Sequence, residues 1–125
     1  MRVVVAVLLV LLLSGCGKPK TTLAGGKPVS HWLQAVHDPD PRVRKGAIFK
    51  LGNVGPSDAD VLPAVTTALK DPDAAVRREA IVALVKIGAA AKEAAPILTE
   101  MHRRDRDAQV RSHAAKALES LERSN

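Results

Sequence analysis

The chain has 125 residues, 19 Lys and Arg against 13 Asp and Glu, a formal net charge of +6 and one cysteine. That length suits one modest domain, and a single cysteine excludes an intramolecular disulfide. The basic excess favours anionic partners or surfaces and says nothing about fold. At the start, Arg2 supplies a positive charge and Val3 to Leu13 form an unbroken apolar run of eleven residues. A helical bilayer span needs about 20 apolar residues, so the run is too short. It fits the apolar region of a secretory signal.

The next residues are "LSGC", Leu13-Ser14-Gly15-Cys16. They resemble the lipobox of bacterial lipoproteins. The resemblance implies cleavage before Cys16, diacylglycerol on its thiol and acylation of the new amine. More than one acyl chain anchors stably. Residues 1–15 are therefore expected to be a signal peptide and Cys16 the lipidation site. The expected location is the bacterial cell envelope, lipid-anchored and facing the periplasm or exterior. Gly17 stands where an Asp would favour inner-membrane retention, which leans towards the outer membrane in a diderm cell. Loss of Arg2 with the signal leaves 18 basic and 13 acidic residues, a charge of +5.

Residues 16–28 include "GKPKTTLAGGKP", with no helical or strand period, and read as a flexible tether. From Val29 the pattern changes. "DPDPRVRKGAIFKLGNVG" from Asp38, "DPDAAVRREAIVALVKIG" from Asp71 and "DRDAQVRSHAAKALESLE" from Asp105 recur at spacings of 33 and 34 residues. A fixed period in this range marks stacked supersecondary units. Looser apolar segments precede each copy: "SHWLQAV", "ADVLPAVTTAL" and "KEAAPILTEMH". Within a copy, Val76, Ala80, Ile81, Leu84 and Ile87 have helical spacing. Asp40, Asp73 and Asp107 are candidate N-caps, Pro41 suits the first helical position, and Gly55 and Gly88 suit the ends.

These copies look like HEAT repeats, in particular the short HEAT-like variety of the phycobilisome lyases. The pattern is "D-P-D-x-x-V-R-x-x-A", an apolar residue and then Leu. Pro63 and Pro96 fit the family as well. The resemblance implies an all-α fold, an α-α superhelix: a short HEAT-like solenoid of three helical hairpins, six helices, over 29–125. The repeats are expected at about 29–55, 56–88 and 89–125. The third copy has Ala115 and Lys116 where the others have Ile48 and Ile81, and Phe49 and Val82. A terminal repeat needs a more polar outer face, so this copy reads as a C-terminal cap.

At about 100° per residue, with Val43 as origin, Ala47 and Leu51 fall at about 40° and 80°. Arg44 falls at about 100°, inside the apolar arc, where a guanidinium must be paired. The turn aspartates Asp38, Asp71 and Asp105 are the expected partners of Arg44, Arg77 and Arg111, from the same or a neighbouring repeat. HEAT-like families use such an Asp–Arg ladder structurally. Off the arc, Lys45, Arg78 and Ser112 fall at about 200°, and Phe49, Val82 and Lys116 at about 240°. These are candidate partner contacts. Trp32 is expected to cover the open N-terminal end, with a binding anchor as its alternative role.

His31, His37, His102 and His113 form no H-E-x-x-H pattern. The His-Glu dipeptides of the HEAT-like hydroxylases, which hold a di-iron centre, are missing from this sequence. No catalytic residues, metal ligands or cofactors are assigned. The expectation is a non-enzymatic, membrane-tethered scaffold that binds an unidentified protein. A monomer is expected, and nucleic acid is not an expected partner outside the cytoplasm. One alternative is a small enzyme or metal-binding protein of the hydroxylase or lyase type. Another is a binder of anionic envelope polymer or lipid head groups.

Overall fold

The computed structural model describes residues 23–124. The signal peptide, Cys16 and the first part of the tether lie outside the described residues. The first element is a small antiparallel hairpin, β1 (Leu23–Ala24) and β2 (Lys27–Pro28), with Leu23 opposite Pro28 and Ala24 opposite Lys27. This corrects the reading of residues 16–28 as a flexible tether, because its last six residues are ordered. The reason is Gly25-Gly26: both glycines have positive φ, 59° and 79°, as a two-residue type I′ turn demands. The hairpin is held to the helices by Trp32, whose indole N–H donates to the Ala24 carbonyl at 2.8 Å.

The remaining elements are helices joined by short turns. A seven-residue α1 (Val29–Ala35) is followed by five helices of eight residues or more: α2 (Pro41–Val54), α3 (Val61–Ala68), α4 (Ala74–Ile87), α5 (Ala95–Arg104) and α6 (Ala108–Arg123). Short 3₁₀ turns at Gly55–Ser57 and Gly88–Ala94 lead into α3 and α5. Each long second helix starts at a D-x-D turn in which both aspartates accept amide bonds. Asp38, Asp71 and Asp105 accept from the backbone of Asp40, Asp73 and Asp107 at 2.8–2.9 Å. The latter three then cap α2, α4 and α6, accepting from the Arg42, Ala75 and Val110 amides at 2.8 Å. Gly55 (φ 66°) and Gly88 (φ 76°) close α2 and α4, where an L side chain would be strained.

The first helix of each repeat packs on its second helix: α1 on α2, α3 on α4, α5 on α6. The second helices also pack side by side, α2 against α4 and α4 against α6. One hydrophobic cluster runs through all three repeats, from Val29 and Ile48 through Val65, Ile81 and Leu84 to Leu98, Val110 and Leu121. Its members sit at the helical spacing described above, so one face of each helix is removed from water. Val43 departs from the repeat pattern. It is 41% exposed, whereas the corresponding Val76 and Val110 are buried. The cause is position: α4 and α6 each have a preceding second helix against them, and among the described residues α2 has only the hairpin there.

Two glycines of α2 make the closeness of α2 and α4 measurable. Gly52 is buried, and a Cβ added there would meet the Ala83 Cβ at 2.8 Å and its Cα at 3.1 Å. Gly46 lies in the same helix facing open space, with nothing within 4 Å of an added Cβ. Gly46→Ala should stabilise the protein by about 0.5–1 kcal/mol through helix propensity. Gly52→Ala should destabilise it by about 1–3 kcal/mol through overpacking. Urea titration of the two variants reads both signs; stabilisation by Gly52→Ala would mean that α2 and α4 do not approach this closely.

Candidate functional site

Arg44 and Arg77 do not pair with the aspartate of their own turn. Each reaches forward to the turn of the next repeat. Arg44 Nε and Nη2 donate to Asp71 Oδ2 and Oδ1 at 2.9 and 3.0 Å. Arg77 does the same to Asp105, both bonds being 2.9 Å. The remaining Nη1 donates backwards, from Arg44 to the Asp38 and Pro39 carbonyls and from Arg77 to those of Asp71 and Pro72. Arg111 makes the backward contacts, to the Asp105 and Arg106 carbonyls, with no carboxylate partner among the described residues. At the other end, the Asp38 carboxylate accepts only the Asp40 amide among the described residues.

The pairs are nearly dry: side-chain exposure is 14% and 10% for Arg44 and Asp71, and 8% and 9% for Arg77 and Asp105. Two-pronged bonds of this kind are strong and directional. Four bonds from each arginine stay within the protein, so the ladder joins repeats.

The residues one position further along face outwards. Lys45, Ser112 and Lys116 are exposed, and Phe49 and Val82 are 41% and 36% exposed. Arg78 differs. It is half-buried, its guanidinium donating to Gln109 and lying 3.9 Å from Asp107. It therefore bridges α4 and α6 rather than standing free. The Lys86 ammonium lies 4.4 Å from the Phe49 ring centroid and donates to the Asn53 side chain at 3.0 Å. Lys50 approaches the same ring at 5.8 Å. Neither lysine stands out in the repeat pattern, although Lys86 stands four residues after Val82, on the same helical face.

Shallow grooves run between the second helices. The one between α2 and α4, about 520 Å³, is lined by Arg42, Lys45, Gly46, Phe49, Lys50 and Glu79. The one between α4 and α6, about 310 Å³, is lined mainly by Ile81, Val82, Val85, Lys86, His113 and Lys116. On the opposite side, α1 and α3 leave a groove of about 540 Å³ bordered by Leu33, Val36, Pro63, Ala64 and Thr67. Trp32 is on neither face. It sits half-buried at the N-terminal end, edge-on to His31 at 4.7 Å and hydrogen-bonded to the hairpin. Among the described residues, no three His, Cys, Asp or Glu side chains are grouped to hold a metal ion. No described helix is long and apolar enough to cross a membrane.

Three of the turn aspartates, Asp40, Asp71 and Asp107, also contribute to the acid stability. Burial pushes the Asp71 carboxyl up, but the Arg44 guanidinium and the Asp73 amide together outweigh it and hold the carboxyl below its ordinary range. Asp40 is lowered by the Arg42 side chain and amide, and Asp107 by the Val110 amide. Carboxyls that are harder to protonate in the folded chain stabilise it fully above the unfolded value of about 3.9. The stabilisation is lost as pH falls through the lower folded values. The urea midpoint should be level between about pH 7 and 5 and fall below about pH 4. Asp71→Asn should show a smaller acid fall; an unchanged fall would mean that Asp71 is not coupled to Arg44.

No curated protein matches the chain. The family model for HEAT repeats matches residues 29–119, the span that holds all three D-x-D turns, both inter-repeat ion pairs and the outward second-helix face. The chain belongs to the HEAT-repeat family.

Proposed function

We propose that the mature protein is a membrane-tethered scaffold that docks a protein partner on the face formed by α2, α4 and α6. HEAT repeats commonly serve as protein-interaction scaffolds. The observation that carries the choice of face is the exposure of Phe49 and Val82. They occupy corresponding positions of two successive repeats, and they are two of only four large hydrophobic side chains left exposed among the described residues. Exposed apolar side chains among polar ones are what an interface offers. In this reading the three hairpins wind as a short superhelix, with no catalytic residue and no cofactor, and the chain acts as a monomer.

The tether rests on the Leu13-Ser14-Gly15-Cys16 pattern and the apolar run before it. With the hairpin starting at Leu23, seven residue steps remain between a lipidated Cys16 and the domain. Even fully extended they reach no more than about 25 Å. The partner is thus met at the membrane surface, in the cell envelope, with the outer membrane favoured in a diderm cell by Gly17.

Two measurements test the two halves. Cys16→Ser should move the protein from the membrane fraction to the soluble fraction; an unchanged distribution would remove the lipid anchor. A photo-cross-linking side chain placed at Val82 in the tethered protein should capture a protein, whereas one placed at exposed Thr67 on α3 should not. Equal capture from both, or none from Val82, would contradict the assigned face. Stoichiometric iron in the purified protein would favour a hydroxylase-like enzyme instead.

A further inference from the structure

The charges on the α2, α4 and α6 face carry the reading of that surface one step further, to the chemistry of its partner. Of the arginines of these helices, Arg44 and Arg77 are held by the nearly dry carboxylates of Asp71 and Asp105, and Arg42 and Arg123 pair with Asp40 and Glu119 at the exposed surface. The lysines of the same helices are not so paired. Lys45, Lys50, Lys86 and Lys116 make no ion pair with any described residue. Lys45 and Lys50 border the groove that holds Phe49, and Lys86 and Lys116 border the groove that holds Val82. Glu79 is the one acidic side chain lining either groove. The result is Phe49 in one groove and Val82 and Val85 in the other, each bordered by ammonium groups, with Lys86 also reaching the Phe49 ring and the Asn53 side chain.

We infer that this face takes an acidic protein segment carrying an aromatic or aliphatic side chain. Its apolar side chain would enter the groove between α4 and α6, and its carboxylates would meet Lys45, Lys86 and Lys116. The about 310 Å³ of that groove is at the lower end of the size of small-molecule sites, and its open rim suits a side chain on a continuing chain. An anionic lipid surface would use the lysines but not the groove. The inference rests on the docking reading above and narrows it.

The test uses the full chain and a short, labelled synthetic peptide, rich in Glu around one central Phe, followed by fluorescence anisotropy. The expected result is binding that weakens at least tenfold in the double variant Lys86→Glu, Lys116→Glu, and is unchanged in Thr67→Glu. Circular dichroism of each variant checks that it is folded. On the unmodified chain, raising the salt should weaken binding steeply as the charges are screened. Replacing every Glu of the peptide by Gln, or its Phe by Ser, should also abolish it. The inference is overturned by an affinity no better than about 1 mM, by equal binding of the Gln peptide, or by displacement of the peptide by phosphatidylglycerol vesicles. Failure here is separable from failure of the docking reading. A basic or neutral segment cross-linked at Val82 defeats the acidic partner and leaves the face standing. No cross-link at Val82 removes the face itself.

Discussion

The bond between Arg77 and Asp105, with its counterpart between Arg44 and Asp71, is the constraint on which the rest of this architecture depends. Helical geometry puts the arginine inside the apolar arc, and burial forbids it to stay unpaired. From its own turn Arg77 takes only carbonyl oxygens, the Asp71 carboxylate being held by Arg44, and its carboxylate partner comes from the next repeat. A guanidinium fixed to carbonyls on one side and to a carboxylate on the other locks the spacing and rotation of two repeats. Such a pair is not worth more than well-packed hydrophobic side chains would be, but leaving one half of it alone is severely destabilising. The pair therefore acts mainly to specify register.

The same short turn carries three duties. Asp71 accepts the Asp73 amide, Asp73 caps α4, and Asp71 receives Arg44. This explains why the wording D-x-D-x-x-V-R recurs with so little change. It also explains how the protein separates its inside from its outside one residue apart. Arg44 and Arg77 are held within the stack, while Lys45 faces solvent and Arg78 reaches across to the neighbouring helix. Structure and surface are written in the same few residues, on opposite sides of one helix.

Much of this was legible in the sequence because it is local. The helical arc, the caps at Asp40, Asp73 and Asp107 and the glycine stops at Gly55 and Gly88 depend on residues within a few positions of each other. The direction of the ladder was not legible, because Asp71 is equally available in sequence to Arg77 and to Arg44. The exposure of Val43 was not legible, because the repeat pattern treats its three copies alike, while the first repeat has no preceding second helix among the described residues. The hairpin at Gly25-Gly26 was missed because its strands are only two residues long and carry no period. Lys86 belongs to the candidate surface through its approach to Phe49 across two helices, a relation that no single-helix projection contains. Nothing in the sequence distinguishes Gly52 from Gly46, because the Ala83 that faces it is on another helix.

The most direct measurement is a double-mutant cycle on the buried pair, by urea unfolding of the protein with Arg77→Met, with Asp105→Asn and with both. Asparagine retains an oxygen for the Asp107 amide, so the cycle isolates the ionic contact. A rung that joins the second repeat to the third predicts that the double variant is more stable than the sum of the two losses allows, by about 1–3 kcal/mol. Losses that add to within about 0.5 kcal/mol would show that Arg77 and Asp105 do not hold each other, and the repeats would have to be registered by packing alone.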